Sequence, residues 1–239
     1  MLRAITFDLW NTLLSEKSYT TARLEILFNA LKTEGQIIRE EDLAHSYAEA
    51  QRRHNELWEK DNCHYPLMDR LDYIISGGVG ATLSSSGKKI AIKRFEELIK
   101  KDPPEMTPGA EEAITILSRH FKLGIISDTG IISGTEIRKL FKRFRLLRSF
   151  SATIFSDETG ICKPKGEVFA LALRHLGVRA GEALHVGDLL RTDVAGAKTA
   201  GMKTAWLKVR EPDAENVSPD YTIASIGELL TVPEIRKML

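Results

Sequence analysis

Four short stretches of this 239-residue chain carry side chains able to do chemistry: Phe7-Asp8-Leu9-Trp10-Asn11-Thr12-Leu13, Ile126-Ser127-Asp128-Thr129, Gly160-Ile161-Cys162-Lys163-Pro164, and His185-Val186-Gly187-Asp188 with Asp193 five residues on. They supply carboxylates, hydroxyls and one lysine. Carboxylates brought to one place repel one another unless a proton or a cation sits among them. The pattern therefore has chemical content only if the fold gathers these stretches.

The elements that would gather them are legible. Apolar runs of strand length cover residues 4–9, 123–126, 152–155, 183–186 and 204–207, and helical segments alternate with them after residue 104. Strand and helix in alternation predict a parallel sheet with right-handed connections, an α/β doubly wound architecture with helices on both faces. Such sheets bind ligands at the carboxyl ends of their strands. Asp8, Ser127-Asp128-Thr129, Ser156-Asp157 and Gly187-Asp188 each stand just after one of these runs.

Between the first run and the rest, the texture is helical. Leu24, Leu27, Phe28 and Leu31 form one apolar stripe, and Leu43, Tyr47, His54 and Trp58 form another. Residues 77–87, rich in Gly and Ser, predict a mobile loop before a helix around Ile92, Phe95 and Ile99. The expected organisation is an α/β core over 1–13 and 105–239 with a smaller all-helical domain over 14–104.

Composition narrows the function classes. Hydrophobic residues make up 43% and charged residues 28%, and 34 Lys+Arg against 33 Asp+Glu leave a formal charge of +1, so no global field favours nucleic acid or an anionic membrane. Arg138, Lys139, Lys142, Arg143, Arg145 and Arg148 surround the apolar stripe Ile137, Leu140, Phe141 and Phe144, and read as the solvated face of a helix. No run approaches the roughly 18 apolar residues of a membrane span, and Asp8 interrupts the amino terminus too early for a signal peptide. Cys63 and Cys162 lack metal-type spacing, which suits a reducing compartment, so a cytoplasmic location is expected.

Taken together, the four motifs and the helical insertion after the first resemble the haloacid dehalogenase-like (HAD) hydrolase superfamily over nearly the whole chain, the insertion resembling its helical cap. The resemblance implies Asp8 as nucleophile, forming an aspartyl-phosphate or ester intermediate. Ser127 would donate to a substrate oxygen and Lys163 would neutralise charge on nucleophile and substrate. Asn11, Thr12 and Asp128 would line the substrate side with them. Mg2+ would be the cofactor, on Asp8, Asp188 and the main-chain carbonyl of Trp10, with Asp193 acting through water or by holding the loop and Lys163. The partner would be a small-molecule substrate; monomer and homodimer both stay open.

Blander readings exist: Asp8 as a turn residue, Ser127 as a loop hydroxyl, Lys163 as a solvated lysine, and Asp193 as the N-cap of a helix over 194–200. One position departs from the phosphatase pattern. Those enzymes carry an aspartate two residues after the nucleophile as general acid-base, and here Trp10 stands there. An aromatic residue there also resembles the family's dehalogenases, but they lack the paired Asp188 and Asp193. The expectation is thus a phosphatase, with a dehalogenase or a non-catalytic binding protein as alternatives. His45, His54 and His64 are the titratable candidates in the insertion.

Overall fold

In the computed structural model, which describes residues 1–214 and 216–239, the apolar runs pair side by side. In chain order the elements are β1 (Ala4–Phe7), α1 (Thr20–Thr33), α2 (Glu40–Glu56), α3 (Leu67–Asp72), α4 (Ser85–Lys101), α5 (Ala110–Leu117), β2 (Lys122–Ser127), α6 (Gly134–Arg143), β3 (Phe150–Phe155), α7 (Ser156–Thr159), α8 (Gly166–Leu176), β4 (Ala183–Gly187), α9 (Ala195–Thr199), β5 (Lys203–Leu207), β6 (Tyr221–Ile223) and α10 (Pro233–Arg236). The chain divides into two compact units, one of Met1–Glu16, Pro104–Thr129 and Ser133–Leu239, the other of Lys17–Pro103 with Gly130–Ile132.

The first unit holds a six-stranded parallel sheet in the order β3-β2-β1-β4-β5-β6. The chain builds outward from β1 through β2 to β3, then returns to add β4, β5 and β6 on the other side. The order reverses between β1 and β4, and the crevice beyond the carboxyl ends of those two strands is where an open α/β sheet binds ligands. All of β1 and β4 is buried, as continuous apolar runs in a parallel sheet should be. Ile126, Val168, Phe169, Ala172, Leu176 and Ala183 share one core cluster.

The second unit is helical. Leu27, Leu31, Leu43, Tyr47, Leu71, Ile74 and Phe95 form its core, and the stripes read from the sequence supply most of it. Chain entry and exit are clasped together within the first unit, where the Ser15 N–H donates to Glu105 O (2.9 Å) and the Thr107 N–H to Leu13 O (3.0 Å).

Some details differ from the sequence reading. Residues 77–87 are not all loop: Ser84 Oγ accepts the Gly87 N–H at 2.9 Å and starts α4 at Ser85, so Ser85, Ser86 and Gly87 are helical. The first strand ends at Phe7, because the Leu9 carbonyl already accepts turn N–H groups from Thr12, Leu13 and Leu14. Strand β6 has only three residues with exposed Thr222 at its centre, too weak an apolar signal to register. In α6 the apolar stripe is buried at Ile137, Leu140 and Phe141, while Arg138 pairs with Glu158 and Thr153. Among the described residues no helix is long and apolar enough to cross a membrane.

Candidate active site

Asp8 follows β1 directly, and its N–H continues the ladder to Val186 O at 2.8 Å, fixing it beside β4. The chain then turns sharply. Asn11 sits in the left-handed region (φ 57°), a conformation that asparagine tolerates, and its N–H donates to Leu14 O at 2.7 Å. Thr107 Oγ1 donates to Thr12 O, tying this turn to the returning chain. Trp10 stands half-buried in the turn, and Thr12 Oγ1 is buried with no hydrogen-bond partner among the described residues.

Lys163 is not a solvated lysine: its side chain is 3% exposed. Its ammonium donates to Asp8 Oδ1 at 2.5 Å and to Asp193 Oδ1 at 2.7 Å. The loop bearing it is held from two sides. Asp128 Oδ1 accepts the Lys163 N–H at 3.0 Å, and α9 packs so closely that a Cβ at Gly196 would lie 2.9 Å from Pro164 Cα and O. Asp128 thus positions the lysine through its main chain.

Asp193 does not cap a helix going forward. Its carboxylate turns back, Oδ2 accepting the Leu189 N–H at 3.0 Å, while Oδ1 meets Lys163 and lies 3.3 Å from His185 Nε2. A Cβ at Gly187 would fall 2.2 Å from Asp193 Cγ, so only glycine leaves this carboxylate its place. His185, on β4, faces Thr6 Oγ1 through Nδ1 at 2.9 Å and packs edge-on against Phe169. Burial holds its pKa down against the pull of Asp193, so it is neutral.

Asp188 follows β4 and is 2% exposed. Trp206 Nε1 donates to its carbonyl at 2.9 Å, anchoring the loop to β5. Arg210 Nη2 lies 2.7 Å from Asp188 Oδ2 as an ion pair off the hydrogen-bonding direction, which leaves that buried oxygen without a hydrogen bond. Ser127, at the end of β2, likewise has a buried Oγ with no hydrogen-bond partner among the described residues. A cavity of about 360 Å³ lined by Asn11, Ser15, Thr107, Val209 and Arg210 opens alongside.

Asp8, Asp188 and Asp193 are all buried, and ligand oxygens of the three lie within 4.8 Å of one another. Burial, with Asp193 and Asp188 nearby, pushes Asp8 up to about 8 despite the opposing Lys163. Burial and Asp193 push Asp188 up to about 6 against Arg210. Burial also works against the Asp193 charge, but Lys163 and the His185 hydrogen bond overcome it and hold that group ionised. Lys163 stays well above its ordinary value, since the aspartates outweigh its own burial. The site therefore sets three buried carboxylates against two cations, Lys163 between Asp8 and Asp193 and the half-exposed Arg210 on Asp188, which leaves an excess of one negative charge. An all-oxygen donor set that includes a buried carboxylate oxygen accepting no hydrogen bond among the described residues fits a hard divalent ion such as Mg2+.

The fold thus brings Asp8, Ser127, Asp128, Lys163, Asp188 and Asp193 to the carboxyl rim of the sheet, with Trp10, Asn11 and Thr12 in the turn that follows Asp8. Asp157 instead serves structure, accepting from Thr129 Oγ1 (2.9 Å) and from the Gly134 N–H. His185 and Arg210 were missed. A histidine inside the apolar run Ala183–Gly187 was the available signal for the first; nothing local marks the second. His54, in the helical unit, is held down to about 4 by burial with Arg70 and His64 adding to it, so it is neutral at pH 7 and no ready proton donor there.

The family profile of the haloacid dehalogenase-like hydrolases matches residues 2–201. Among curated relatives, a glyceraldehyde 3-phosphate phosphatase of Methanopyrus kandleri is 28% identical over 97% of both chains. One of the same name from Pyrococcus furiosus is 37% identical, over 53% of this chain and 54% of its own, so the chain spans about half the length of that relative. In fold, the chain is similar to a 2-haloacid dehalogenase from Pseudomonas syringae pv. Tomato, with a TM-score of 0.70 and 23% identity over 99% of both chains.

Proposed function

We propose, from the premise that this chain belongs to the haloacid dehalogenase-like hydrolase family, that it is a Mg2+-dependent phosphatase of small phosphate monoesters. The observation that carries this reading is the buried trio Asp8, Asp188 and Asp193, whose charge one buried lysine and the partly exposed Arg210 offset only in part. Halide displacement needs no cation among the carboxylates, whereas a divalent ion drawn by them would also neutralise the dianionic phosphoryl group of a phosphate ester. The relatives named glyceraldehyde 3-phosphate phosphatase support the same choice.

In this reading Asp8 Oδ attacks phosphorus and forms an acyl phosphate as the ester oxygen leaves; water then attacks phosphorus, releasing phosphate and restoring the carboxylate. Lys163 holds the nucleophile and screens the incoming phosphoryl charge. Ser127 Oγ, free of any protein partner, donates to a phosphoryl oxygen. Asp193 keeps Lys163 charged and in place, and Asn11, Thr12 and Asp128 shape the substrate side. Mg2+ bound by Asp8, Asp188 and the Trp10 carbonyl, with Asp193 behind them, would keep Asp8 ionised and neutralise phosphoryl charge. The helical unit would serve as the cap. Trp10 offers no titratable proton, so the ester oxygen must leave largely unassisted.

The test is turnover of a panel of phosphate esters and 2-haloacids by the purified protein, with Mg2+ and with EDTA. Mg2+-dependent release of phosphate is expected. Metal-independent halide release with inert phosphate esters would replace this reading by the dehalogenase one, to which Trp10 is the one favourable residue.

A further inference from the structure

The helical unit buries positive charge that it does not neutralise. The spacing on α1 puts Arg23 on the face of Leu27 and Leu31, and on α2 puts Tyr47, Gln51 and His54 in one row. Arg70, on α3, is brought to that row: its Nη2 donates to Gln51 Oε1 at 2.7 Å. Arg70 is 2% exposed and Arg23 7%. Among the described residues neither forms an ion pair with a carboxylate. Arg23 lies instead over the rings of Tyr19 and Phe95, 5.3 and 5.8 Å from their centroids.

Some of their donors also go without a hydrogen bond. Among the described residues the buried donors Arg23 Nε and Arg70 Nε and Nη1 have no acceptor, and the buried His54 Nδ1 has no hydrogen-bond partner. Burial holds Arg70 below its ordinary pKa and Arg23 adds to the strain, with only the hydroxyls of Tyr47 and Tyr65 opposing. Folding leaves a guanidinium buried and unpaired only at considerable cost, and the cost is removed when an anion supplies the missing partner. Guanidinium forks suit planar or tetrahedral oxyanions.

We propose that the helical unit binds a small oxyanion, a carboxylate or phosphate group, on the guanidinium groups of Arg23 and Arg70 with His54 beside them. The oxyanion is a free one, held within the helical unit itself. Arginine Nε–H resonances of the full-length 15N-labelled protein, held in EDTA, give the first test, with malonate and inorganic phosphate as probes. Saturable, concerted shifts of the Arg23 and Arg70 signals are expected. Arg70→Met should abolish the Arg23 shift, and with no anion present it should leave Tm unchanged or raised, since it removes an unpaired charge. Arg23→Met should do the same at Arg70 and stands in if the first variant misfolds. No saturable shift with either probe overturns the proposal, as does a Tm lowered by both variants with the anion response intact.

Discussion

Asp8→Asn should make the metal-free protein more resistant to alkali while abolishing its chemistry. Buried Asp8 is pushed up to about 8, from an ordinary value of 3.8. Between those two values the folded chain holds a proton that the unfolded chain releases, so stability is greatest at the acid side and falls as pH rises through the window. The slope is about 1.4 kcal/mol per pH unit, hence about 4 kcal/mol between pH 5 and pH 8. Asp193, shifted downward, acts only below pH 4, and Lys163, shifted upward, only above pH 10, so neither contributes in this range. Asp188, raised to about 6, adds a change of the same sign that is complete near pH 6, and both proteins share it. The amide that replaces the carboxylate does not titrate, so the difference between variant and wild type isolates Asp8. At about 2–4 °C per kcal/mol for a chain of this size, the gap in Tm should widen by about 8–16 °C from pH 5 to pH 8. Scanning calorimetry in EDTA measures it, and saturating Mg2+ should flatten the wild-type dependence. Parallel Tm curves for the two proteins in EDTA would refute the reasoning, because they would mean that Asp8 is ionised throughout and the site carries no excess of negative charge.

Asp193→Asn should lower kcat/KM about 10- to 100-fold through loss of its hold on Lys163, and Asp8→Asn should leave no measurable turnover; equal residual rates would contradict that ranking. Gly187→Ala should displace the Asp193 carboxylate, costing about 1–3 kcal/mol in thermal stability together with activity at least as reduced as in Asp193→Asn. Because Trp10 offers no acid, wild-type rates on phosphate esters should depend steeply on leaving-group pKa, and Trp10→Asp should flatten that dependence, with a gain of about 10²-fold or more on alkyl esters; a flat wild-type dependence would place a donor elsewhere.

The rim of the sheet was readable because a parallel strand advertises itself twice, as an apolar run and as the polar residue that ends it. Asp8, Ser127 and Asp188 announce themselves in that way. Lys163 and Asp193 were readable only as members of a motif set, since their burial depends on a contact across 30 residues. What was not readable is the pairing that tertiary structure alone creates: Arg210 against Asp188, His185 under Asp193, and the unpaired Arg23 and Arg70. In the sequence Arg70 and Arg210 are each one arginine among many, and although Arg23 lies on an apolar stripe and His185 inside an apolar run, nothing there says what either would face. Strand β6 escaped for the opposite reason, being an edge strand of three residues that makes too little hydrophobic signal of its own.

The clasp at Ser15–Glu105 and Leu13–Thr107 makes the sheet unit indifferent to what is inserted beyond it. The two chain ends of the insertion are already joined by main-chain hydrogen bonds, so loop closure is settled within the sheet unit and the length of the excursion adds little entropic cost. Residues 17–103 are in that sense an exchangeable cassette: the hydrolytic rim can be kept while the inserted helices are replaced, which is a route by which one chemistry acquires new substrates without renegotiating its core.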